Sequence, residues 1–367
     1  MTALGLGVIG LGMAGATMVR AAARHDGVVI VAGADPHAGP REAFARDLNA
    51  RAYADAAALV EDKAVDVVYI ATPHQLHAEH AVMAAARGKH VIVEKPMCFT
   101  LREADTMIAA SKRSGRRLMV AYMKRYDPGY LYGREAVRAM RGLRYIQINV
   151  LHPSEAQYFA HHRIKRFSDV PPPTLAALQG EADQLAVEAI GPVTERLRFL
   201  YLEVFLGSMI HDVNALRGIL GCPEKSMFTT LWPDDVTYPT ITTVLAYKDG
   251  PRAVFTWSYL SELRDYFEEL AFLGEESRVR IQFPSPFLRH FPSPVEVQGM
   301  TDGAEWRKRV SVSYAEAFKE ELLHFHECVH NDREPLTDGS DGREDIAFLQ
   351  KIVAAAHPIG LGGEAAR

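Results

Sequence analysis

The apolar run Leu4–Gly10 ends in Gly10-Leu11-Gly12-Met13-Ala14-Gly15, and an alanine-rich stretch with helical spacing follows at once. GxGxxG is common in loops, but at a strand-to-helix junction it does a specific job. Gly10 permits the tight turn, Gly12 lets the backbone approach a pyrophosphate, and Gly15 lets the helix pack on the strand. The start of that helix, with unpaired amides and the positive end of its dipole, attracts the phosphates. This junction commits the N-terminal part to a βαβ unit that binds a dinucleotide.

The segments that follow agree. Val28–Ala34, Val67–Ile70, Val91–Val93 and Leu118–Ala121 are short apolar runs, separated by helical stretches at Ala14–Arg24, Leu76–Arg87 and Leu101–Ser114. Such alternation predicts a parallel, doubly wound sheet with crossover helices. After Tyr126-Asp127-Pro128 the texture changes. Polar stretches lengthen, three prolines occupy 171–173, and Tyr145–Leu151, Thr240–Tyr247 and Arg252–Tyr259 alternate as antiparallel strands do. Lys248-Asp249-Gly250 marks a hairpin between the last two. Helical spacing returns at 314–331 and 343–356. The expected fold is α/β: a Rossmann domain over 1–123, then an α+β domain over 124–367 with a large, mostly antiparallel open sheet.

Asp35 lies 20 residues after Gly15, at the end of the second apolar run. A carboxylate there accepts hydrogen bonds from ribose hydroxyls and repels a 2'-phosphate. No arginine immediately follows it, the nearest being Arg41, so NAD is expected over NADP.

Composition excludes other classes. The net charge is −5 with the two signs interspersed, so no positive field exists to hold nucleic acid or an anionic membrane. No run of about 18 apolar residues offers a membrane span. Three cysteines without CxxC spacing argue against disulfides or a thiolate zinc site and fit a reducing, cytoplasmic setting. The N-terminus enters directly into the strand-and-glycine pattern and reads as fold rather than signal peptide.

Thr72-Pro73-His74-Gln75-Leu76-His77, followed by Gly88-Lys89-His90-Val91-Ile92-Val93-Glu94-Lys95-Pro96, resembles the Gfo/Idh/MocA family of oxidoreductases, which includes glucose-fructose oxidoreductase and inositol 2-dehydrogenase. Lys124-Arg125-Tyr126-Asp127-Pro128 and His211-Asp212-Val213-Asn214 extend the resemblance, which is strongest up to residue 128. It implies that Lys95 and His211 are the catalytic pair, Lys95 stabilising the alkoxide and His211 moving the proton. It also places Leu11, Met13, Ala14, Thr72, Pro73, His74, His77, Glu94 and Lys95 beside the cofactor with the glycines and Asp35. The family's DxxxHxxD pattern is broken twice here, by Gly207 and Asn214. Glu203, one turn earlier, is the candidate to fill the gap at 207; Lys124, His152 and Asp212 are the other candidate substrate contacts.

The activity implied is oxidation of a secondary hydroxyl of a sugar, glycoside or cyclitol to a ketone, or the reverse. Alternatives are an NAD-dependent glycosidase working by transient oxidation, a dihydrodiol dehydrogenase, and an NAD-binding regulator without turnover. The basic run His161–Arg166 is a solvated loop or an anion site. His326-Glu327-Cys328-Val329-His330 satisfies HExxH, the zinc-protease spacing. It reads as coincidence, because no third ligand is evident, and no metal is expected. A homodimer or homotetramer through the C-terminal sheet is expected, with Phe255–Tyr259 as an exposed strand needing cover.

Overall fold

The computed structural model describes residues 2–22, 27–154, 156–159 and 170–356. The first sheet has six strands: β1 (Leu4–Ile9), β2 (Val28–Ala34), β3 (Arg51–Tyr53), β4 (Val67–Ile70), β5 (His90–Glu94) and β6 (Leu118–Ala121). Their order is β3-β2-β1-β4-β5-β6 and every pairing is parallel. This is the doubly wound order, whose strand sequence reverses beside β1 and leaves a ligand crevice at the carboxyl ends. The five apolar runs are the four inner strands and the edge strand β6. β3 has no apolar run and is half-exposed, as a short edge strand is.

Helix and strand meet over Leu6, Val8, Met18, Ala21, Tyr69, Ile92, Met119, Leu322 and Phe325, all under 5% exposed. Leu322 and Phe325 belong to the helix Ala317–His330, so a segment far along the chain completes this core. Contacts divide the chain accordingly. One compact unit is Met1–Asp127 with His162–Asn214 and Ala315–Ala347; the other is Pro128–His161 with Ala215–Tyr314 and Phe348–Arg367. This grouping is not the linear division at 123/124, because two later segments join the first unit.

The second unit carries an eight-stranded sheet: β7 (Leu143–His152), β8 (Lys225–Trp232), β9 (Thr240–Ala246), β10 (Arg252–Tyr259), β11 (Phe267–Gly274), β12 (Ser277–Gln282), β13 (Val295–Thr301) and β14 (Ala304–Val310), in the order β14-β13-β12-β11-β7-β10-β9-β8. β9 and β10 pair directly across the Asp-Gly turn, Ala246 opposite Arg252, with Asp249 at φ 50°. The sheet is mostly antiparallel, as expected: β7 and β10 run parallel, while its other pairings are antiparallel.

One expectation is corrected. Phe255–Tyr259 is not an exposed strand: Phe255, Trp257 and Ser258 are buried, and only alternate residues such as Val254 and Thr256 face outward, as the strand period dictates. The proline run starts a 19-residue helix, Pro172–Ile190, with Pro171 at the N-cap. Proline is tolerated there because first-turn amides have no intrahelical partner. Among the described residues no helix is long and apolar enough to cross a membrane.

Candidate active site

Gly10 sits at φ +89°, and a Cβ on it would lie 2.4 Å from the Ala71 carbonyl oxygen. A Cβ on Gly15 would lie 2.1 Å from the Gly10 carbonyl oxygen, so the helix Met13–Ala22 approaches the turn as closely as glycine allows. Gly12 faces open space, with nothing within 4 Å of its would-be Cβ. The loop is thus shaped by atoms on two sides and vacant on the third, which fits a pyrophosphate lying against it.

Asp35, 9% exposed, is held by two amides: Leu11 N–H donates to Oδ2 and His37 N–H to Oδ1, both at 3.0 Å. One bond ties Asp35 to the glycine loop itself, so the carboxylate is fixed at the loop's edge with lone pairs remaining for ribose hydroxyls. Arg41, six residues away in sequence, folds back so that Nη1 donates to the carbonyls of Asp35 (2.8 Å) and Pro36 (2.7 Å). Sequence distance therefore misjudged it: a guanidinium does stand beside Asp35.

The Thr72–His77 loop and the segment after β5 are fastened together by His77, which is fully buried. Its Nδ1 lies 2.9 Å from the Pro96 carbonyl and its Nε2 2.9 Å from that of Thr72. Burial pushes its pKa down to about 4, so at neutral pH it carries one ring proton and donates to one carbonyl at a time. Having no exposed surface, His77 clamps the two loops together. His74 is half-buried with its ring 5.3 Å from that of His77, and burial, then the charges of His77 and Lys95, hold it well below the usual histidine range. Thr72 is half-buried, with Oγ1 3.2 Å from His80 Nδ1, and Pro73 is exposed.

Lys95 follows β5 at its carboxyl end, joined to Pro96 by a cis peptide bond. Glu94 accepts from the Lys95 amide at 3.2 Å and from the Tyr69 hydroxyl. Burial raises the Glu94 carboxyl pKa against the pull of these partners. Deeper still is Glu321, fully buried on the Ala317–His330 helix, with no hydrogen-bond partner for either oxygen among the described residues. Burial, then the charge of Glu94, drives its pKa well above the ordinary carboxylate value.

The other half of the site stands on Tyr201–Met209, a nine-residue π-helix that runs into the α-helix Ile210–Leu220. π-helical stretches concentrate at functional sites. Lys95 Nζ donates to the Gly207 carbonyl at 2.5 Å, which brings the lysine one turn from His211. Tyr122, 1% exposed, meets the His211 ring edge-on at 6.3 Å between centroids. Lys124, 7% exposed, lies 3.8 Å from Asp212, 1% exposed. Lys95 thus meets this helical segment at Gly207 and Lys124 meets it at Asp212, on either side of His211 in the chain. Glu203 is exposed and leaves the space above Gly207 unfilled: a Cβ there meets only the Leu202 carbonyl oxygen at 3.7 Å.

His152 ends β7 in the other unit, half-buried, its ring 5.2 Å from Tyr266 and 6.2 Å from Trp257. The basic run 161–166 lies outside the described residues.

Sequence reasoning missed the role of Asn214. Its Nδ2 donates to Asp341 (2.8 Å) and Asp345 (2.6 Å), while Arg125 donates to its Oδ1 at 3.2 Å. An aspartate here would set a third carboxylate against two others, which explains the amide. HExxH is occupied with local bonds: His326 Nε2 lies 3.2 Å from the Thr2 carbonyl, and His330 Nδ1 3.0 Å from that of His326.

Comparison with known proteins agrees with this geometry. The sequence profile described as an oxidoreductase family with an NAD-binding Rossmann fold matches residues 4–122. A 1-carboxy-3-chloro-3,4-dihydroxycyclohexa-1,5-diene dehydrogenase of Comamonas testosteroni is 40% identical over 123 residues, 33% of this chain and 31% of the relative. An inositol 2-dehydrogenase of Salmonella paratyphi B is 37% identical over 129 residues, 34% of this chain and 38% of the relative. The match thus spans about a third of these relatives' length. Over the whole chain, a crystal structure of a putative NADPH-dependent oxidoreductase from Desulfitobacterium hafniense superposes with a TM-score of 0.78 at 16% identity, covering 97% of this chain and 96% of that one, which extends the common fold to both units. Residues 4–122 carry the NAD-binding Rossmann fold of this oxidoreductase family.

Proposed function

We propose that this chain oxidises a secondary hydroxyl of a sugar, glycoside or cyclitol to a ketone, or runs the reverse, with NAD as hydride carrier. The observation that carries this reading is the bond from Lys95 Nζ to the Gly207 carbonyl, which sets the ammonium within one helical turn of His211. Bound nicotinamide supplies the hydride acceptor; the glycine loop and Asp35 hold the other end of the dinucleotide.

The protein's own groups handle oxygen and proton. The Lys95 ammonium, held at the Gly207 carbonyl, faces a hydroxyl and stabilises the alkoxide as it develops. His211 takes the hydroxyl proton. A histidine suits this transfer because its ordinary pKa, about 6.5, lies near working pH. Tyr122, edge-on, fixes the plane of that ring. Glu94 and His77 hold the backbone on either side of Lys95 and keep its side chain aimed.

NAD is preferred in this reading because the Asp35 carboxylate repels a 2'-phosphate, even with Arg41 at hand, whose Nη1 is engaged by two carbonyls. The relatives' names, a carboxylated cyclic diol dehydrogenase and an inositol dehydrogenase, agree on the oxidation of a ring alcohol. The test is a panel of sugars, glycosides, cyclitols and cyclic diols scored for reduced nicotinamide by absorbance. Reduction of NAD stoichiometric with ketone is expected; failure of every member to reduce either cofactor overturns the reading. Cleavage of a glycoside with no accumulation of NADH would replace it by redox-neutral cleavage.

A further inference from the structure

The carboxylate assigned to the ribose is held by backbone on two sides. Leu11 N–H reaches Asp35 Oδ2 from the glycine loop and His37 N–H reaches Oδ1, each at 3.0 Å. The second bond closes an Asx-turn, in which an aspartate side chain accepts from the amide two residues on. Whatever fixes the His37 amide therefore fixes the carboxylate.

That amide belongs to the Pro36–His37 peptide, which is trans. The N–H and C=O of a planar trans peptide point in opposite directions. At the carbonyl end stands Arg41: its Nη1 donates to the Pro36 carbonyl at 2.7 Å and to the Asp35 carbonyl at 2.8 Å. One rigid peptide thus links a guanidinium on one side to the Asp35 carboxylate on the other. A cation at the carbonyl end polarises the peptide and strengthens its N–H as a donor.

The position of Arg41 in its own helix agrees. It lies in the first turn of Ala38–Leu48, where no acidic residue accompanies it and where the positive end of the helix dipole disfavours a cation. It is half-buried there, folded back onto the turn. An arginine that received a 2'-phosphate would stand on the carboxylate side of the Pro36–His37 peptide; this one binds the opposite side.

We infer that Arg41 is a positioning residue for the adenosine ribose, which fixes the Asp35 carboxylate through the Pro36–His37 peptide and does not itself receive a 2'-phosphate. This deepens the reading of Asp35 as the ribose acceptor and rests on it.

The experiment titrates full-length protein with NAD and with NADP by calorimetry, in wild type, Arg41→Met, Arg41→Lys, Asp35→Ala and the double variant Asp35→Ala with Arg41→Met. Methionine keeps an aliphatic stem and lacks the donors, whereas lysine keeps donors. Arg41→Met is expected to weaken NAD about fivefold to tenfold, the scale of one side chain released from a fixed geometry. NADP should lose less, so the preference for NAD narrows. Arg41→Lys is expected to lose less NAD affinity than Arg41→Met. With alanine at 35, Arg41→Met should change NAD affinity by less than about twofold, because its effect passes through the carboxylate. A greater loss of NADP than of NAD, which widens the preference, overturns the inference and makes Arg41 the 2'-phosphate receptor. An equal NAD loss in both Asp35 backgrounds, or a loss as large for lysine as for methionine, also overturns it. Should Arg41→Met not fold, Arg41→Lys carries the same comparison of NAD with NADP. NAD affinity that falls with Asp35→Ala and not with Arg41→Met overturns this inference alone; NAD affinity indifferent to Asp35→Ala overturns the ribose reading beneath it.

Discussion

Replacing Lys95 with alanine removes one half-buried ammonium whose neighbours are known, so its consequences separate cleanly. In the resting protein the loss is one charge-assisted bond to the Gly207 carbonyl, which water can reach, and the cost to folding is about 1 kcal/mol. In the transition state the loss is larger, because the ammonium faces an oxygen acquiring full negative charge in a partly desolvated pocket. Removing such a stabiliser costs about 10²–10³ in rate, roughly 3–4 kcal/mol. Cofactor affinity should scarcely change: the phosphate loop and Asp35 lie at the ends of β1 and β2, and Lys95 lies beyond β5.

The assay is single-turnover reduction of NAD under saturating substrate, with NAD binding followed separately by protein fluorescence. His211→Ala, measured beside it, should cost about 10²–10⁴. The double variant should fall short of the product of the two losses, since both groups act on one transition state. Turnover of Lys95→Ala within an order of magnitude of wild type would refute the assignment. An equal collapse of NAD affinity would show instead that Lys95 holds the cofactor loop.

Four further perturbations test the surrounding structure. Asp35→Ala should narrow the preference for NAD over NADP, as read by titration of each cofactor; wild-type protein binding NADP more tightly would reverse the role given to Asp35. Asn214→Asp should destabilise the fold by about 3 kcal/mol in denaturant unfolding, because a third buried carboxylate then meets Asp341 and Asp345 with Arg125 as partner. Glu321→Gln should raise Tm at pH 7. The Glu321 pKa is raised on folding, so its contribution is fully present below the ordinary value of 4.5 and is lost as pH rises through the folded one, and the two proteins should converge as pH falls towards 4.5. Activity should survive chelation and the pair His326→Ala and His330→Ala; loss restored by zinc would promote HExxH to a metal site.

Most of the first unit was legible because five of its six strands are mostly buried and therefore read as apolar runs. Three of them, Val28–Ala34, Val67–Ile70 and Leu118–Ala121, end where the runs end. β3 escaped notice because an edge strand of three residues buries too little to need apolar side chains. The helix Pro172–Ile190 was hidden by its prolines, which break a helix interior but suit its first turn. The parallel pairing of β7 with β10 could not be read locally, since alternation reports which face is buried and says nothing about the direction of a neighbour.

The site divides along the same line. Residues whose chemistry lies in a side chain, such as Asp35, Lys95 and His211, announce themselves by type and position. What holds them is mostly backbone: the Gly207 carbonyl under Lys95, the Leu11 amide on Asp35, the Thr72 and Pro96 carbonyls on His77. A carbonyl is common to every residue, so no letter in the sequence marks the one that a π-helix presents to Lys95. Gly207 therefore read as a missing carboxylate, whereas in the fold it contributes a carbonyl that accepts from Lys95. A residue's absence of side chain becomes informative only when the atoms around it are known.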